Sequence, residues 1–318
     1  MRHVAVTGAA GFVGQALVRR LLREPNGLVR LTVVDQRLNS ETLPWLHDER
    51  VHAVEGDLAS GPALDALLAH PVQQLFHLAS VPGALAEREP VLGMAANLTG
   101  PQVLLAALAR RHAGFTAPRV VFASSIAVYG PLEPDVAVHE DTVPAPTLSY
   151  GTHKLMIELL LADLSRRGEL DAVSLRLPGI VARPAAPTGH GSAFMSDLIR
   201  RGMAGEAYEC PVSPQARCWW MSLPVCVDNL VHAATVASDQ LPPSRVVQLP
   251  VQVATVADIV RAIGLQVPQA PERLSWRADE SIQRLFGKMP ALQTPRARAI
   301  GFVDDGDIER LLGNALQA

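Results

Sequence analysis

A glycine-rich turn between a short apolar strand and a helix constrains the fold of this chain more than any other feature. The strand HVAVT runs directly into Gly8-Ala9-Ala10-Gly11-Phe12-Val13-Gly14, and apolar residues at helical spacing follow. Glycines allow a sharp turn, a close backbone approach to a pyrophosphate and close packing of helix on strand. The helix N-terminus then offers N–H groups and a partial positive charge to phosphates. The segment predicts a dinucleotide site, with an ordinary strand-to-helix turn as the alternative.

The first part of the chain alternates short apolar strands with helical patterns, as βαβ units and a parallel sheet require. The predicted strands are 3–7, 28–35, 51–55, 74–78, 119–123 and 172–177, and the predicted helices are 12–23 (stopped by Pro-Asn-Gly at 25–27), 62–69, 87–111 and 150–167. Beyond residue 177 prolines and glycines break the alternation. Helices are predicted there at 193–201, 227–237 and 255–263, with a strand at 245–249.

This pattern predicts an α/β fold, a doubly wound parallel sheet of the Rossmann type with a small C-terminal substrate-binding domain. The NAD-binding domain would cover residues 1–177 and be completed by roughly 225–250, and the smaller domain would cover 178–318.

Composition excludes several classes of protein. The chain has 318 residues, 48% hydrophobic and 19% charged, which is typical of a compact globular protein. A formal net charge of −3 argues against nucleic acid or an anionic membrane as partner. Its three cysteines, spaced by eight residues, are expected to be reduced thiols. Because the first residues do not resemble a signal peptide and no uninterrupted apolar run reaches about 18 residues, we expect a cytoplasmic protein.

The acid at the end of the second strand bears on the choice of nucleotide. Asp35 lies 21 residues after Gly14, close to where a carboxylate binds the hydroxyls of the adenosine ribose. A carboxylate there would repel the additional phosphate of NADP, so NAD is the predicted cofactor. Arg37 could instead pair with that phosphate, although a solvated surface arginine is its simpler interpretation.

Three residues of the first domain predict acid/base chemistry. Tyr150 and Lys154 have the i, i+4 spacing that places both on one face of a helix. A free tyrosine has a pKa of about 10, and a nearby ammonium group and the nicotinamide would lower it. Lys154 could also bind the nicotinamide ribose. Ser125 follows the fifth strand at the sheet edge where ligands bind, and its hydroxyl could hold the substrate oxygen.

The segments TGAAGFVG, SSIAVYG and YGTHK resemble the extended short-chain dehydrogenases/reductases, the NAD-dependent epimerase/dehydratase family, over essentially the whole chain. The resemblance implies an enzyme, with Ser125, Tyr150 and Lys154 as catalytic residues and with Ser125, four residues before Tyr129, as the active serine rather than Ser124. It also implies further cofactor-binding positions at Phe12, Val13, Asp57, Leu58, Leu78, Ala79, Ser80, Asn97 and Pro178.

Within that family, LSYGTHKLMIELLLADLSRRG and SLRLPGIVARP are most similar to the D-erythronate dehydrogenase group. That resemblance implies oxidation of the C2 hydroxyl of a small sugar acid to a 2-oxo acid. Substrate would contact Ser80, Ser125 and Tyr150, with Arg183 or Arg217 holding its carboxylate. The runner-up is a nucleotide-diphosphate-sugar epimerase or dehydratase, in which Arg217 would bind phosphate. A non-catalytic dinucleotide sensor is disfavoured because all three catalytic residues are present.

Two further expectations concern metals and assembly. His190 and His232 lack partners at metal-ligand spacing, so no metal site is predicted. The helix at 150–167 carries more apolar residues than one core-facing stripe requires, and they are Leu155, Met156, Ile157, Leu159, Leu160, Leu161 and Leu164. A homodimer through this helix and the helix at 87–111 is therefore predicted, with burial inside one subunit as the alternative.

Overall fold

A computed structural model describes residues 2–24, 29–59, 61–112, 114, 116–184 and 191–316. The strands are β1 (Arg2–Thr7), β2 (Val29–Asp35), β3 (Val51–Glu55), β4 (Gln74–His77), β5 (Arg119–Ser125), β6 (Val138–His139), β7 (Asp171–Leu177), β8 (Gly179–Val181), β9 (Tyr208–Cys210), β10 (Arg217–Ser222), β11 (Val246–Gln248), β12 (Gln252–Thr255), β13 (Leu274–Trp276) and β14 (Leu292–Gln293). The helices are α1 (Phe12–Leu22), α2 (Gly61–Leu67), α3 (Gly83–Arg88), α4 (Pro90–Met94), α5 (Gly100–Arg111), α6 (Ser149–Arg166), α7 (Ala193–Met203), α8 (Leu223–Ala233), α9 (Val256–Gln266), α10 (Glu280–Phe286), α11 (Pro295–Ala299) and α12 (Ile308–Leu316).

Seven strands form the central sheet, in the order β11-β7-β5-β4-β1-β2-β3. The pairings β1 with β2, β1 with β4, β2 with β3 and β4 with β5 are all parallel. This confirms the predicted doubly wound fold. The chain leaves β1 in one direction for β2 and β3 and later returns to its other side as β4. Ligands bind at such a switch point, at the carboxyl ends of the strands, and the glycine-rich loop begins there.

The strands of this sheet are apolar along their length because helices cover them. Val4, Ala5 and Val6 in β1 are fully buried, and Leu17 and Leu21 of α1 are buried as well. Burying one such aliphatic side chain contributes about 1.5–3 kcal/mol. Continuous apolar strands are typical of parallel sheets, which explains why the sequence showed runs rather than strict alternation.

Residue contacts divide the chain into two compact units. The first comprises 1–125, 149–176 and 230–247, and the second comprises 126–148, 177–229 and 248–318. The second unit has its own core, which includes Cys218, Trp220 and Ile259, and a three-stranded sheet in the order β12-β10-β8. The boundary at residue 177 remains a prediction.

The helix expected at 87–111 is divided into pieces. The backbone angles of Glu89 (φ −122°, ψ 72°) are not helical, so α3 ends before it and α4 begins at Pro90, where a proline suits the first turn. A π-helical turn at Ala95–Thr99 then joins α4 to α5. The helix α3 was missing from the sequence prediction.

Residues Pro90–Arg111, taken as one helix, are long and apolar enough to cross a bilayer by length and composition. It is the one such helix in the part of the chain that the structure describes. Half of its most apolar window is buried inside the protein, and core helices of soluble proteins pass the same test.

Beyond residue 177 the predicted helices are present with shifted ends, whereas most strands of this region were not predicted. These strands are two to six residues long and pair with partners far away in sequence, as β9 does with β13. The predicted stop at 25–27, residue 28 of the second predicted strand and His190 lie outside the described residues.

Candidate active site

The glycine-rich loop after β1 leaves no room for side chains at its turns. Gly8 has a φ of +72°, and a Cβ there would lie 2.6 Å from the backbone nitrogen of Ala79. A Cβ on Gly14 would lie 2.1 Å from the carbonyl oxygen of Gly8. Gly11 caps α1 without a side-chain hydrogen bond, and the first turn of α1 carries no acidic residue. The loop therefore presents backbone and a helix N-terminus, which fits the pyrophosphate of a dinucleotide.

The carboxylate of Asp35 is fixed beside this loop. Its Oδ2 accepts a hydrogen bond from the backbone N–H of Ala10 at 2.9 Å, and its Oδ1 accepts one from that of Gln36 at 2.8 Å. Asp35 is half-buried at the end of β2, whereas Arg37 is exposed. An ordered acid at this strand end suits ribose hydroxyls and disfavours a phosphate.

The other positions expected around the cofactor in the first unit lie in α1, after the strands β3 and β4, and in the π-helical turn. Phe12 and Val13 begin α1, Asp57 and Leu58 follow β3, Leu78, Ala79 and Ser80 follow β4, and Asn97 lies in the π-helical turn. The side chain of Asn97 is buried. Its Oδ1 accepts from the Val81 N–H at 2.8 Å and its Nδ2 donates to the Val81 carbonyl at 3.0 Å. Asn97 thus holds the loop after β4 in place.

Ser125 and Tyr150 lie at the ends of elements that belong to the same unit. Ser125 is the last residue of β5 and Tyr150 the second residue of α6, and both are half-buried. The neighbouring Ser124 is buried, and its hydroxyl donates to Oε1 of Glu158 at 2.5 Å. The hydroxyl of Ser124 is therefore engaged inside the protein.

Lys154 is buried one helical turn after Tyr150, with 2% of its surface exposed. Its Nζ donates to the carbonyl oxygen of Ala123 at 2.7 Å and lies 5.5 Å from the centre of the Tyr150 ring. Burial lowers the pKa of Lys154 to about 7, and the carboxylate of Glu158 opposes that shift. The ammonium group is therefore close enough to Tyr150 to favour its phenolate.

His77, at the end of β4, is a buried neutral neighbour of this lysine. Its Nδ1 lies 2.6 Å from the Thr7 hydroxyl, and its ring stacks on Phe122 with centres 5.7 Å apart. Burial lowers the pKa of His77 to about 3, with the positive charge of Lys154 as a second cause. His77 therefore adds no positive charge beside Lys154 at neutral pH.

The model of the NAD dependent epimerase/dehydratase family matches residues 4–240. The chain belongs to this family. It is 37% identical to the D-erythronate dehydrogenase of Cupriavidus necator (strain H16), covering 98% of this chain and 96% of that protein. It is 31% identical to the D-erythronate dehydrogenase of Haemophilus influenzae (strain Rd), covering 97% of each. Among solved structures, the nucleoside-diphosphate-sugar epimerase from Agrobacterium tumefaciens superposes with a TM-score of 0.89 at 30% identity, covering 98% and 92% of the two chains.

These comparisons confirm the family that the glycine loop and the YGTHK segment indicated. As a member of the NAD dependent epimerase/dehydratase family with full-length relatives named as dehydrogenases, the protein is an NAD-dependent oxidoreductase. NAD is its cofactor, and the residues of the glycine loop and Asp35 fit it as described above.

The remaining predicted site residues of this family member belong to the second unit. Pro178 is buried between β7 and β8, and Arg183 follows β8 half-buried. Arg217 begins β10, where its Nε donates to the Met289 carbonyl at 2.7 Å and its Nη2 to the Pro134 carbonyl at 2.6 Å. Two nitrogens of the Arg217 guanidinium are therefore engaged in hydrogen bonds to backbone carbonyls.

Two charged residues near Lys154 were not predicted from the sequence. Glu158 and Arg176 form a buried ion pair, with Nη2 of Arg176 2.7 Å from Oε2 of Glu158. One signal was present in the sequence, since Glu158 interrupts the apolar run LMIELLL at the helical spacing of Lys154. Its partner on β7 could be found only from the fold.

Proposed function

We propose that this protein oxidises the C2 hydroxyl of D-erythronate, or of a closely similar small sugar acid, to the 2-oxo acid with NAD. The observation that carries this proposal is the 37% identity to a D-erythronate dehydrogenase over 98% of the chain. A second D-erythronate dehydrogenase matches over nearly the same length, so the likeness includes the second unit as well as the nucleotide-binding one.

In the proposed mechanism, Tyr150 is the base. Its phenolate takes the proton from the C2 hydroxyl while Ser125 hydrogen-bonds the same oxygen and orients it. Lys154, whose Nζ lies 5.5 Å from the Tyr150 ring, stabilises the phenolate and holds the nicotinamide ribose. NAD, when bound, supplies the acceptor for the hydride that leaves C2. The burial of the Ser124 hydroxyl against Glu158 supports Ser125 as the active serine.

The substrate's carboxylate needs a cation. Arg183 and Arg217 remain the two candidates for that role. Ser80, which is exposed after β4, would also contact the substrate. A neutral analogue would leave this half-buried cation without its partner, which costs on the order of a few kcal/mol.

The second candidate function is epimerisation or dehydration of a nucleotide-diphosphate sugar. It is favoured by the 30% identity and TM-score of 0.89 to the Agrobacterium protein that carries that name. The same three residues would serve it, but the hydride would return to the sugar and no NADH would accumulate.

A substrate panel separates the two functions. Purified protein is incubated with NAD and, separately, with D-erythronate, other four-carbon sugar acids, the neutral sugar alcohol erythritol and UDP-sugars. We expect NADH with D-erythronate, at least about a hundredfold less with erythritol given the cost of the unpaired cation, and none with UDP-sugars. Epimerised UDP-sugar without net NADH would overturn the proposal in favour of the second candidate.

We also propose that the enzyme works in the cytoplasm as a homodimer, with a small molecule as its substrate and with neither nucleic acid nor membrane as partner. The net charge of −3 supports this.

A further inference from the structure

Two residues of one helix turn are held by two consecutive residues of β5. Lys154 donates through Nζ to the carbonyl of Ala123 at 2.7 Å, and Glu158, one turn later in α6, accepts from the hydroxyl of Ser124 at 2.5 Å. Residues at i and i+4 of a helix are neighbours on its surface. The next residue of β5 is Ser125, so these contacts fix the register between α6 and the active-site end of the strand.

The Glu158 carboxylate is also fixed from β7. Arg176 donates to it from Nε at 3.0 Å and from Nη2 at 2.7 Å, and both side chains are at least nine-tenths buried. A buried ion pair is costly to desolvate and is often replaceable by apolar residues without loss of stability. Stability alone therefore does not account for a charged pair at this position.

The charged and titratable groups around Lys154 in the described residues are few. Tyr150 and Glu158 lie on its own helix, neutral His77 faces it from β4, and Arg176 of β7 lies behind Glu158. Glu158 is the one anion among them, and its effect on Lys154 is opposite to that of burial.

We propose that Glu158, held by Arg176 and Ser124, is a positioning residue that keeps the Lys154 ammonium charged and aligned with Tyr150 and NAD. The proposal rests on the catalytic role of Lys154 proposed above. Without the carboxylate, a buried lysine facing no anion would lose its proton at a lower pH and could no longer stabilise the phenolate at neutral pH.

The chain allows a direct test because it contains only two lysines, Lys154 and the exposed Lys288. Protein labelled with ¹³C at lysine Cε gives two signals, which Lys288→Arg assigns, and each is followed from pH 5 to 11. We expect Lys154 to titrate near pH 7 in the wild type and about one unit or more lower in Glu158→Gln, because the variant loses the negative charge that opposes the effect of burial.

Three further variants and one binding measurement complete the design. Asp171→Asn is a control that removes another paired carboxylate of β7. Asp171 pairs with Arg119 and Arg245, and its loss should leave the titration of Lys154 unchanged. Ser124→Ala keeps the charges of Glu158 and Arg176, so it should shift the titration midpoint of Lys154 only slightly. If Glu158→Gln does not fold, the double variant Glu158→Gln/Arg176→Met removes the charges together and should still lower the midpoint.

NADH affinity from pH 6 to 10 is measured in parallel, and it should fall at a lower pH in Glu158→Gln than in the wild type. A Lys154 midpoint within about 0.3 unit of wild type in Glu158→Gln would overturn the proposal. A shifted midpoint in a protein that oxidises no sugar acid would contradict only the proposed substrate.

Discussion

At the scale of single residues, the site combines an ionisable lysine with almost complete burial. Lys154 is 2% exposed, and burial lowers its pKa from the ordinary value of 10.5 to about 7. The same burial that places the ammonium against Tyr150 disfavours its charge, so function here is opposed to stability.

Replacing this lysine by methionine is expected to stabilise the protein while removing its activity. The folded-state pKa of about 7 lies below the unfolded one, so between pH 7 and 10 the unfolded chain binds more protons and stability rises with pH. At pH 7 the lysine therefore costs on the order of 2–4 kcal/mol. Lys154→Met should melt several degrees higher than wild type at pH 7, with the difference shrinking towards pH 10. A lower melting temperature at pH 7 would contradict this, and Lys288→Met is the control that should change nothing.

We predict that one carboxylate, that of Asp35, sets the preference for NAD over NADP. Because Asp35 is fixed by the backbone N–H groups of Ala10 and Gln36, its loss removes acceptors for ribose hydroxyls and the repulsion of a phosphate. Asp35→Ala should weaken NAD binding by about 1–3 kcal/mol and improve NADP relative to NAD. Titration calorimetry with both nucleotides measures this. Arg37→Ala, at an exposed position, is the matched variant, and a wild type that prefers NADP until Arg37 is removed would show that Asp35 does not govern the choice.

At the scale of elements, the local patterns were sufficient for the strands β1 to β5 and for α6. Catalytic roles for Ser125, Tyr150 and Lys154 could be predicted because these residues lie on those elements. Two kinds of feature could not be predicted from the sequence. They are contacts between distant elements, such as Glu158 with Arg176, and deviations from local patterns that tertiary packing imposes. The break at Glu89 is an example of such a deviation. The helices on either side of it pack closely, since a Cβ on Gly93 of α4 would lie 2.9 Å from the Cβ of Ala86 in α3.

The helices α4, α5 and α6 pack on one another in the first unit and present apolar side chains to solvent. In α6, Ile157, Leu161 and Leu164 are buried, whereas Met156 and Leu159 are 43% and 64% exposed. The neighbouring helices add Val91, Leu92, Met94 and Val103 to this exposed surface. Apolar residues around more of a helix than its core stripe indicate a second contact face.

We predict that this surface joins two copies of the chain. Light scattering at micromolar concentration should give twice the chain mass of 34.0 kDa, and Leu159→Glu should give 34.0 kDa because a charge would be buried in the interface. Leu265→Glu is the control, since Leu265 of α9 is 75% exposed in the other unit and its variant should stay dimeric. A monomeric wild type would refute the dimer.

At the scale of the whole molecule, the elements of the first unit were largely predicted from the sequence, whereas most strands of the second unit were not. The strands of the second unit are short and pair with partners far away in sequence. Their local residue patterns were therefore not sufficient to predict them. The thiols of Cys210, Cys218 and Cys226 are buried and unlinked there, and burial raises the pKa of each, to about 11 for Cys210 and about 12 for Cys226. They are poor nucleophiles in this state.

We propose that hydride leaves C2 of a sugar acid with Tyr150 as the base. The most direct test of this mechanism uses D-erythronate carrying deuterium at C2, incubated with NAD and the wild-type enzyme, with Tyr150→Phe alongside. We predict deuterated NADH, one mass unit heavier, from the wild type, and turnover reduced at least about a hundredfold in the variant while NAD binding persists. Unlabelled NADH would place the oxidation at another carbon, and turnover within a few-fold of wild type in Tyr150→Phe would contradict the assigned base.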